Sequence, residues 1–181
     1  ESMEAMARLQ EQGKTRYVGV SNFNAGQMQQ ALQIAPFHST QPRYNLFDRH
    51  IEAEDIPFCR EHGIGILPHS PLGKGLLTGR YRPDHSFPPG DERSGFPRFQ
   101  GETFARYVAA ADRLTEVAAD KGLSLVQMSI AWLLRLDAVT CVLVGAKNPQ
   151  QAEEHLGAVG VRFSRDELTR IDEILQDAPR E

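Results

Sequence analysis

The stretch VGAKNPQQAEEH, residues 144–155, holds the residue types with the clearest chemistry in this 181-residue sequence. An apolar run ends in Gly145, Lys147 stands beside the turn, and Asn148-Pro149 opens a helix with proline at its first position. A cation next to free helix N–H groups suits an anion, phosphate above all. A solvated lysine beside an ordinary cap fits the same residues. Other polar side chains stand where apolar runs stop: Ser21-Asn22 after RYVGV, Gln41 in STQPRY, and His69-Ser70 after GIGILP. Taken singly each is weak, since a Ser-Asn pair after a strand is more often a helix cap than a ligand group. GKGLLTG, residues 73–79, fits neither GxxxxGK[ST] nor GxGxxG, and the prolines after it would interrupt the helix that a phosphate loop needs. Cys59-x-x-His62 stands alone and reads as helix surface. With no HExxH, no paired Cys/His spacing and no GxSxG, the sequence predicts neither a metal site nor a nucleophile elbow.

These groups depend on elements to gather them. Residues 2–12 read as a helix stopped at Gly13, and RYVGVS (16–21) as a strand. Asn24 with Gln27 makes a capping-box pattern ahead of Met28, Ala31 and Leu32. STQPRY (39–44) predicts a short strand with Pro42 near its end, because proline brings no donor to a ladder. A helix through Ile56, Phe58 and Cys59 stops at Gly63, and GIGILPHS (63–70) is a further strand. Residues 71–101 contain Pro71, Pro83, Pro88, Pro89 and Pro97 and show no periodicity, the mark of a functional or disordered loop. Phe104, Val108, Ala111, Leu114 and Val117 lie on one helical face. Ser124 with Gln127 caps LVQMSIAWLLRL, which is apolar nearly all round and so well buried. VTCVLVGA (139–146) is the most convincing strand, and Ser164 with Glu167 opens a last helix through Leu168, Ile171 and Leu175.

Apolar strands alternating with helices predict an α/β protein with a parallel sheet covered by helices. The sheet is either open and doubly wound or part of a (β/α)8 barrel. In both, ligands meet the carboxyl ends of the strands, and that is where Ser21-Asn22, Gln41, His69-Ser70 and residues 145–147 fall. Composition agrees with a globular domain: 40% hydrophobic and 24% charged, with net charge −4. Scattered Lys and Arg exclude a nucleic-acid surface, and no apolar run reaches the ~20 residues of a membrane span. Two distant cysteines without a CxxC read as free thiols in a reducing, cytoplasmic setting. The first residues carry no signal-peptide pattern, and their mid-helix composition suggests the back part of something longer.

GKTRYVGVSNF, QPRYNLFDR, GIGILPHSPLGKGLLTGRY, SLVQMSIAWLL and VLVGAKNPQQAEEH occur in the order and spacing of the aldo-keto reductase family. The sequence resembles that family, in particular its longer-loop bacterial-type members, over essentially all 181 residues. The resemblance implies a (β/α)8 barrel that reduces aldehydes or ketones with NADPH. Residues 1–181 would then be one partial barrel domain supplying strands five to eight, their helices and the trailing helices, with the N-terminal half missing. It also implies that Ser21, Asn22 and Gln41 meet the nicotinamide carboxamide, an amide that needs donors and acceptors together. His69 falls where the family stacks an aromatic ring on the nicotinamide. Ser70, Leu72, Lys74 and Gly75 would line the pyrophosphate, and Gly145 and Lys147 would face the 2′-phosphate. Gln151 and Glu154 would lie near the adenine ribose and base, with His155 where asparagine is typical. The family's catalytic Asp, Tyr, Lys and His belong to its first four strands, so no catalytic residue is assigned here, and the chain alone is expected to be inactive. Other readings are a non-catalytic NADP(H)-sensing subunit of the same fold, and a different (β/α)8 enzyme using Lys147 to hold a substrate phosphate. Half a barrel leaves sheet edges open, so self-association is expected as well.

Overall fold

The structure is a computed structural model and describes residues 1–179. Its helices are α1 Ser2–Glu11, α2 Ala25–Leu32, α3 Asp55–His62, α4 Gly101–Asp120, α5 Leu125–Leu134, α6 Pro149–Leu156 and α7 Arg165–Gln176. Their starts follow from local side-chain chemistry. Asn24, Ser124 and Ser164 each accept from the backbone N–H three residues on, while the Gln or Glu there accepts the cap residue's own N–H. That reciprocal exchange satisfies two donors the helix leaves orphaned. Gly63 closes α3 at φ 64°, the left-handed stop that glycine adopts without a side-chain clash.

Strands β1 Gly19–Ser21, β2 Ser39–Gln41 and β3 Gly65–Ile66 form a parallel sheet in that order. Gly19, Val20 and Ser21 lie opposite Ser39, Thr40 and Gln41, and Ser39 and Thr40 lie opposite Gly65 and Ile66. All three strands are shorter than the sequence predicts. The largest difference concerns 139–146, which forms no continuous ladder and touches β3 and its extension through two parallel bridges, Ile66 to Val139 and His69 to Leu143. Pro68 explains the break. Thr140 N donates to Ile66 O at 3.0 Å, but Pro68 has no N–H to continue the exchange. The next bond, Leu143 N to Pro68 O at 2.9 Å, resumes one residue late. Four residues on one side now span three on the other, which is a bulge.

Helices α4 and α5 bring the apolar stripes read from the sequence into the main core, where Met28, Ile66, Leu114, Trp132 and Leu133 are fully buried. Residues 71–101 are ordered into short 3-10 turns at Gly73–Thr78, Glu92–Gly95 and Pro97–Phe99. They cover a second apolar cluster of Leu76, Phe99, Phe104, Tyr107 and Val108, flanked by Phe47, Tyr81 and Phe87. Phe87 meets Phe99 edge-on at 5.3 Å between ring centres, a favoured aromatic geometry. Among the described residues no single helix is long and apolar enough to cross a membrane.

Gly19 marks the closest approach of β1 to β2. A Cβ there would lie 2.5 Å from Ser39 Oγ and 3.0 Å from Ser39 O. The hydroxyl can rotate away, but the carbonyl cannot. Gly19→Ala is therefore expected to lower stability by about 1–3 kcal/mol in urea unfolding. Gly145→Ala, with nothing within 4 Å of its Cβ, is the control, and stays within about 0.5 kcal/mol of the parent.

Candidate functional site

The strand ends bring Ser21, Asn22, Gln41, His69 and Ser70 into one hydrogen-bonded chain. Ser21 Oγ donates to Gln41 O at 3.0 Å, and Asn22 Nδ2 donates to Ser21 Oγ at 3.2 Å. Asn22 Oδ1 lies 3.0 Å from His69 Nε2, and His69 Nδ1 lies 3.1 Å from Ser70 Oγ. Asn22 and Ser70 both hold φ at 55°. Non-glycine residues in this left-handed region are uncommon and cluster at functional sites. Burial, aided by Arg43 and opposed by Asp48, pushes the His69 imidazole below its ordinary pKa, so the ring is neutral at pH 7.

The other residues singled out in the sequence meet in a neighbouring cleft of about 300 Å³. Leu72, Lys74, Gly75, Gly145, Lys147, Gln151, Glu154 and His155 all line it. Val126 of α5 adds an apolar side, and Thr78, Arg80, Tyr81 and Arg93 complete the wall; the sequence reading missed these last four. They lie in the aperiodic loop, where only their cationic and aromatic types could have signalled them. Lys74 is paired with Glu92 at 2.6 Å. Arg93 donates to Tyr81 Oη at 2.5 Å and grips Asp91, holding that carboxyl down at about 2. Among the described residues, Arg80 and Lys147 have no carboxylate within ion-pair distance. The cleft is thus cationic on balance. Gly75, at φ 101°, has no room for a Cβ, which would sit 2.6 Å from Tyr81 Oη.

One expectation needs correcting. The N-terminus of α6 does not present a row of free donors. Asn148 Oδ1 accepts from Gln151 N at 2.9 Å, and Gln151 Oε1 accepts from Lys147 N at 2.8 Å. Glu154 is also engaged, accepting from Ser124 Oγ at 2.7 Å. Uncompensated positive charge in the cleft rests mainly on the side chains of Lys147 and Arg80, since Arg93 is already paired with Asp91 and bonded to Tyr81.

Beneath both groups lies a buried polar cluster absent from the predicted site. Arg98 Nη1 and Nη2 reach Asp48 Oδ2 and Oδ1 at 3.1 and 2.8 Å, with Asp48 5% and Arg98 6% exposed. Asn45 Nδ2 donates to Asp48 Oδ2 at 2.7 Å and to Ser70 O at 2.9 Å. Asn45 Oδ1 accepts from the backbone N–H of Phe47 and Asp48. Burial alone would raise the Asp48 carboxyl, but the Arg98 guanidinium, Asn45 and Arg43 outweigh it and hold it below the usual carboxylate range.

A parallel sheet whose polar side chains gather at the strands' carboxyl ends, beside a cationic cleft, is an α/β architecture. The chain belongs to the aldo/keto reductase family, whose model matches residues 1–176. Aldo-keto reductase YhdN of Bacillus subtilis is 33% identical over 178 residues, 98% of this chain and 54% of that protein. Aldo-keto reductase yakc [NADP(+)] of Schizosaccharomyces pombe is 33% identical over 179 residues, 97% of this chain and 53% of its own length. The solved structure of the glycerol dehydrogenase AKR11B4 from Gluconobacter oxydans superposes with TM-score 0.92 at 34% identity, covering all of this chain and 56% of that one. The chain spans about half the length of these relatives. The family fold is a (β/α)8 barrel, and the three strands here are part of it.

Asp48 sits below its ordinary value in the folded protein. Its stabilising contribution is therefore whole above about pH 4 and is lost as pH falls through the lower folded value. Arg98→Met, which leaves the carboxylate with only Asn45 and, at 3.6 Å, Arg43, is expected to cost about 3 kcal/mol at pH 7 in urea unfolding. The penalty shrinks below about pH 4, where the abandoned acid protonates. Asp48→Leu combined with Arg98→Met lies closer to the parent than the single variant. A single-variant loss under about 1 kcal/mol contradicts this role.

Proposed function

We propose that this chain is the cofactor-holding half of an NADP(H)-dependent carbonyl reductase, contributing strands five to eight of the barrel. The observation that carries the reading is the meeting of Lys147, Gly145, Gln151 and Glu154 with Lys74 and Gly75 in one cleft, where Arg80 adds positive charge. Such a donor set suits a dinucleotide with an extra phosphate. The missing Cβ at Gly75 lets the Tyr81 ring close against the backbone and complete the wall of the cleft. The Schizosaccharomyces relative is named for NADP(+). The Gluconobacter protein is named a glycerol dehydrogenase, and oxidising an alcohol is carbonyl reduction run in reverse.

In this reading Lys147, with Arg80, binds the 2′-phosphate and pyrophosphate, Arg93 braces the wall through Asp91 and Tyr81, and Ser21 and Asn22 orient the nicotinamide amide. The cofactor supplies the hydride. This chain's part is to bind and orient. The tyrosine following β2, Tyr44, is fully buried and donates to Glu52 at 2.6 Å, so it faces no substrate. The acid that protonates the developing alkoxide is assigned to the barrel's first half. Strand β1 pairs on one side only and so does the 139–143 segment. The rest of the barrel, or a second copy of this chain, would cover those edges. Two free cysteines favour a reducing, cytoplasmic setting.

A charge-assisted contact at a partly exposed site is worth roughly 1.5–3 kcal/mol. Lys147→Ala should weaken NADPH binding about 10- to 100-fold while NADH binding changes little. Fluorescence titration of both cofactors against parent and variant checks it; equal loss for both, or none, sinks the assignment. The 181 residues assayed alone should turn over no NADPH with a generic aldehyde, and turnover above a no-protein control refutes the placement of the acid.

A further inference from the structure

We infer that His69 is a positioning residue, fixing the orientation of the Asn22 amide, and through it the Ser21 hydroxyl, for reading the nicotinamide carboxamide. The inference rests on the NADP(H) reading above. The direction of the hydrogen-bond chain is forced from its first member. The Gln41 carbonyl can only accept, so the Ser21 hydroxyl spends its hydrogen there. The Ser21 oxygen has only lone pairs left and takes a hydrogen from Asn22 Nδ2. Asn22 Oδ1 therefore faces His69, whose Nε2 must carry the ring hydrogen. Nδ1 is then bare, and Ser70 Oγ donates to it.

No link can be reversed alone. Turning the Asn22 amide would set its oxygen against a Ser21 oxygen that has no hydrogen to give. A phenyl ring at position 69 offers a flat face, but no N–H for Asn22. The left-handed backbone at Asn22 and Ser70 flanks the same ring and aims both side chains at it.

A second proton on His69 would go to Nδ1. Ser70 must then accept instead of donate, and a positive charge appears beside the place assigned to the nicotinamide. The oxidised ring is a cation and the reduced ring is neutral, so acidification weakens NADP+ more than NADPH. The charges facing His69 are few. Arg43, paired beside it on the β2 side, opposes protonation and Asp48 favours it. Ser21 and Asn22 are uncharged, residues 139–143 bring no charge, and Lys74 beyond Ser70 is paired with Glu92.

The test uses the full-length protein carrying this chain. Nitrogen NMR of the His69 ring, assigned with His69→Gln, should show hydrogen on Nε2 and a bare Nδ1 at about pH 7.5, above the ordinary histidine pKa. Between there and about pH 5 the ratio of NADP+ to NADPH dissociation constants should rise about tenfold, the effect of one pKa unit of linkage. His69→Gln abolishes that rise, and because its amide still donates to Asn22 it retains more affinity than His69→Phe. Hydrogen on Nδ1, a flat ratio in the parent, or the same rise in His69→Gln overturns the inference. If neither cofactor binds at any pH, the NADP(H) reading fails, and the ring-nitrogen spectrum still judges the chain itself.

Discussion

A carboxylate removed from water must be matched or it neutralises, and the burial of Asp48 imposes that constraint on the ligand-facing end of the molecule. Arg98 arrives from fifty residues further along the chain to supply a two-pronged match, and Asn45 fills the remaining acceptor capacity. The same Asn45 amide holds the carbonyl of Ser70, whose left-handed backbone starts the turn toward Lys74 and Gly75. One satisfied network thus ties the end of β2, the end of β3 and the 71–101 segment together. The hydroxyl of Ser70 then enters the chain through His69 and Asn22, so the geometry of both ligand-facing groups is referred to the same buried ion pair.

What was legible in the sequence was what local chemistry decides. The boxes at Asn24, Ser124 and Ser164 are closed within three residues, and Gly63 stops its helix by its own conformation. The apolar faces of α4 and α5 were readable for a similar reason, since periodicity alone says which side must leave water. The run 139–146 was overread because its pairing depends on a partner, and Pro68 lacks the donor that a ladder needs. The strand-end residues could be chosen from the general placement of ligands on parallel sheets. Arg80 and Arg93 could not, because they enter the cleft from a loop without periodicity. Asp48 and Arg98 were hidden most completely. Charged residues read as surface until the fold brings them together.

The cleft and the strand-end chain differ in how they are held. From the Gln41 carbonyl to the Ser70 hydroxyl each polar group is held by a neighbour, so the strand-end groups are already oriented. Among the described residues Lys147 and Arg80 are long side chains with no carboxylate within ion-pair distance, so holding them in one place costs side-chain entropy. With the N–H groups of Lys147 and Gln151 taken by Gln151 and Asn148 side chains, the positive potential there comes from mobile charge rather than from a fixed backbone cradle. Salt therefore screens the cleft far more than the chain.

The separate apolar cluster under residues 71–101 bears on how the molecule breathes. Apart from Phe47, its members fall between Leu76 and Val108, so the loops they close are short and their ordering is inexpensive in chain entropy. Its packing is distinct from that around Ile66 and Trp132. Such a patch can open and reclose as its own cooperative unit, exchanging its amide hydrogens sooner than the central sheet. Phe47, which packs against both clusters, α4, which spans them, and Arg98, which reaches into the Asp48 network, tie the patch to the rest. An excursion that keeps the Arg98 anchor leaves Ser70 in place; one that releases it loosens the strand-end hydrogen-bond chain and the overlying segment in a single event.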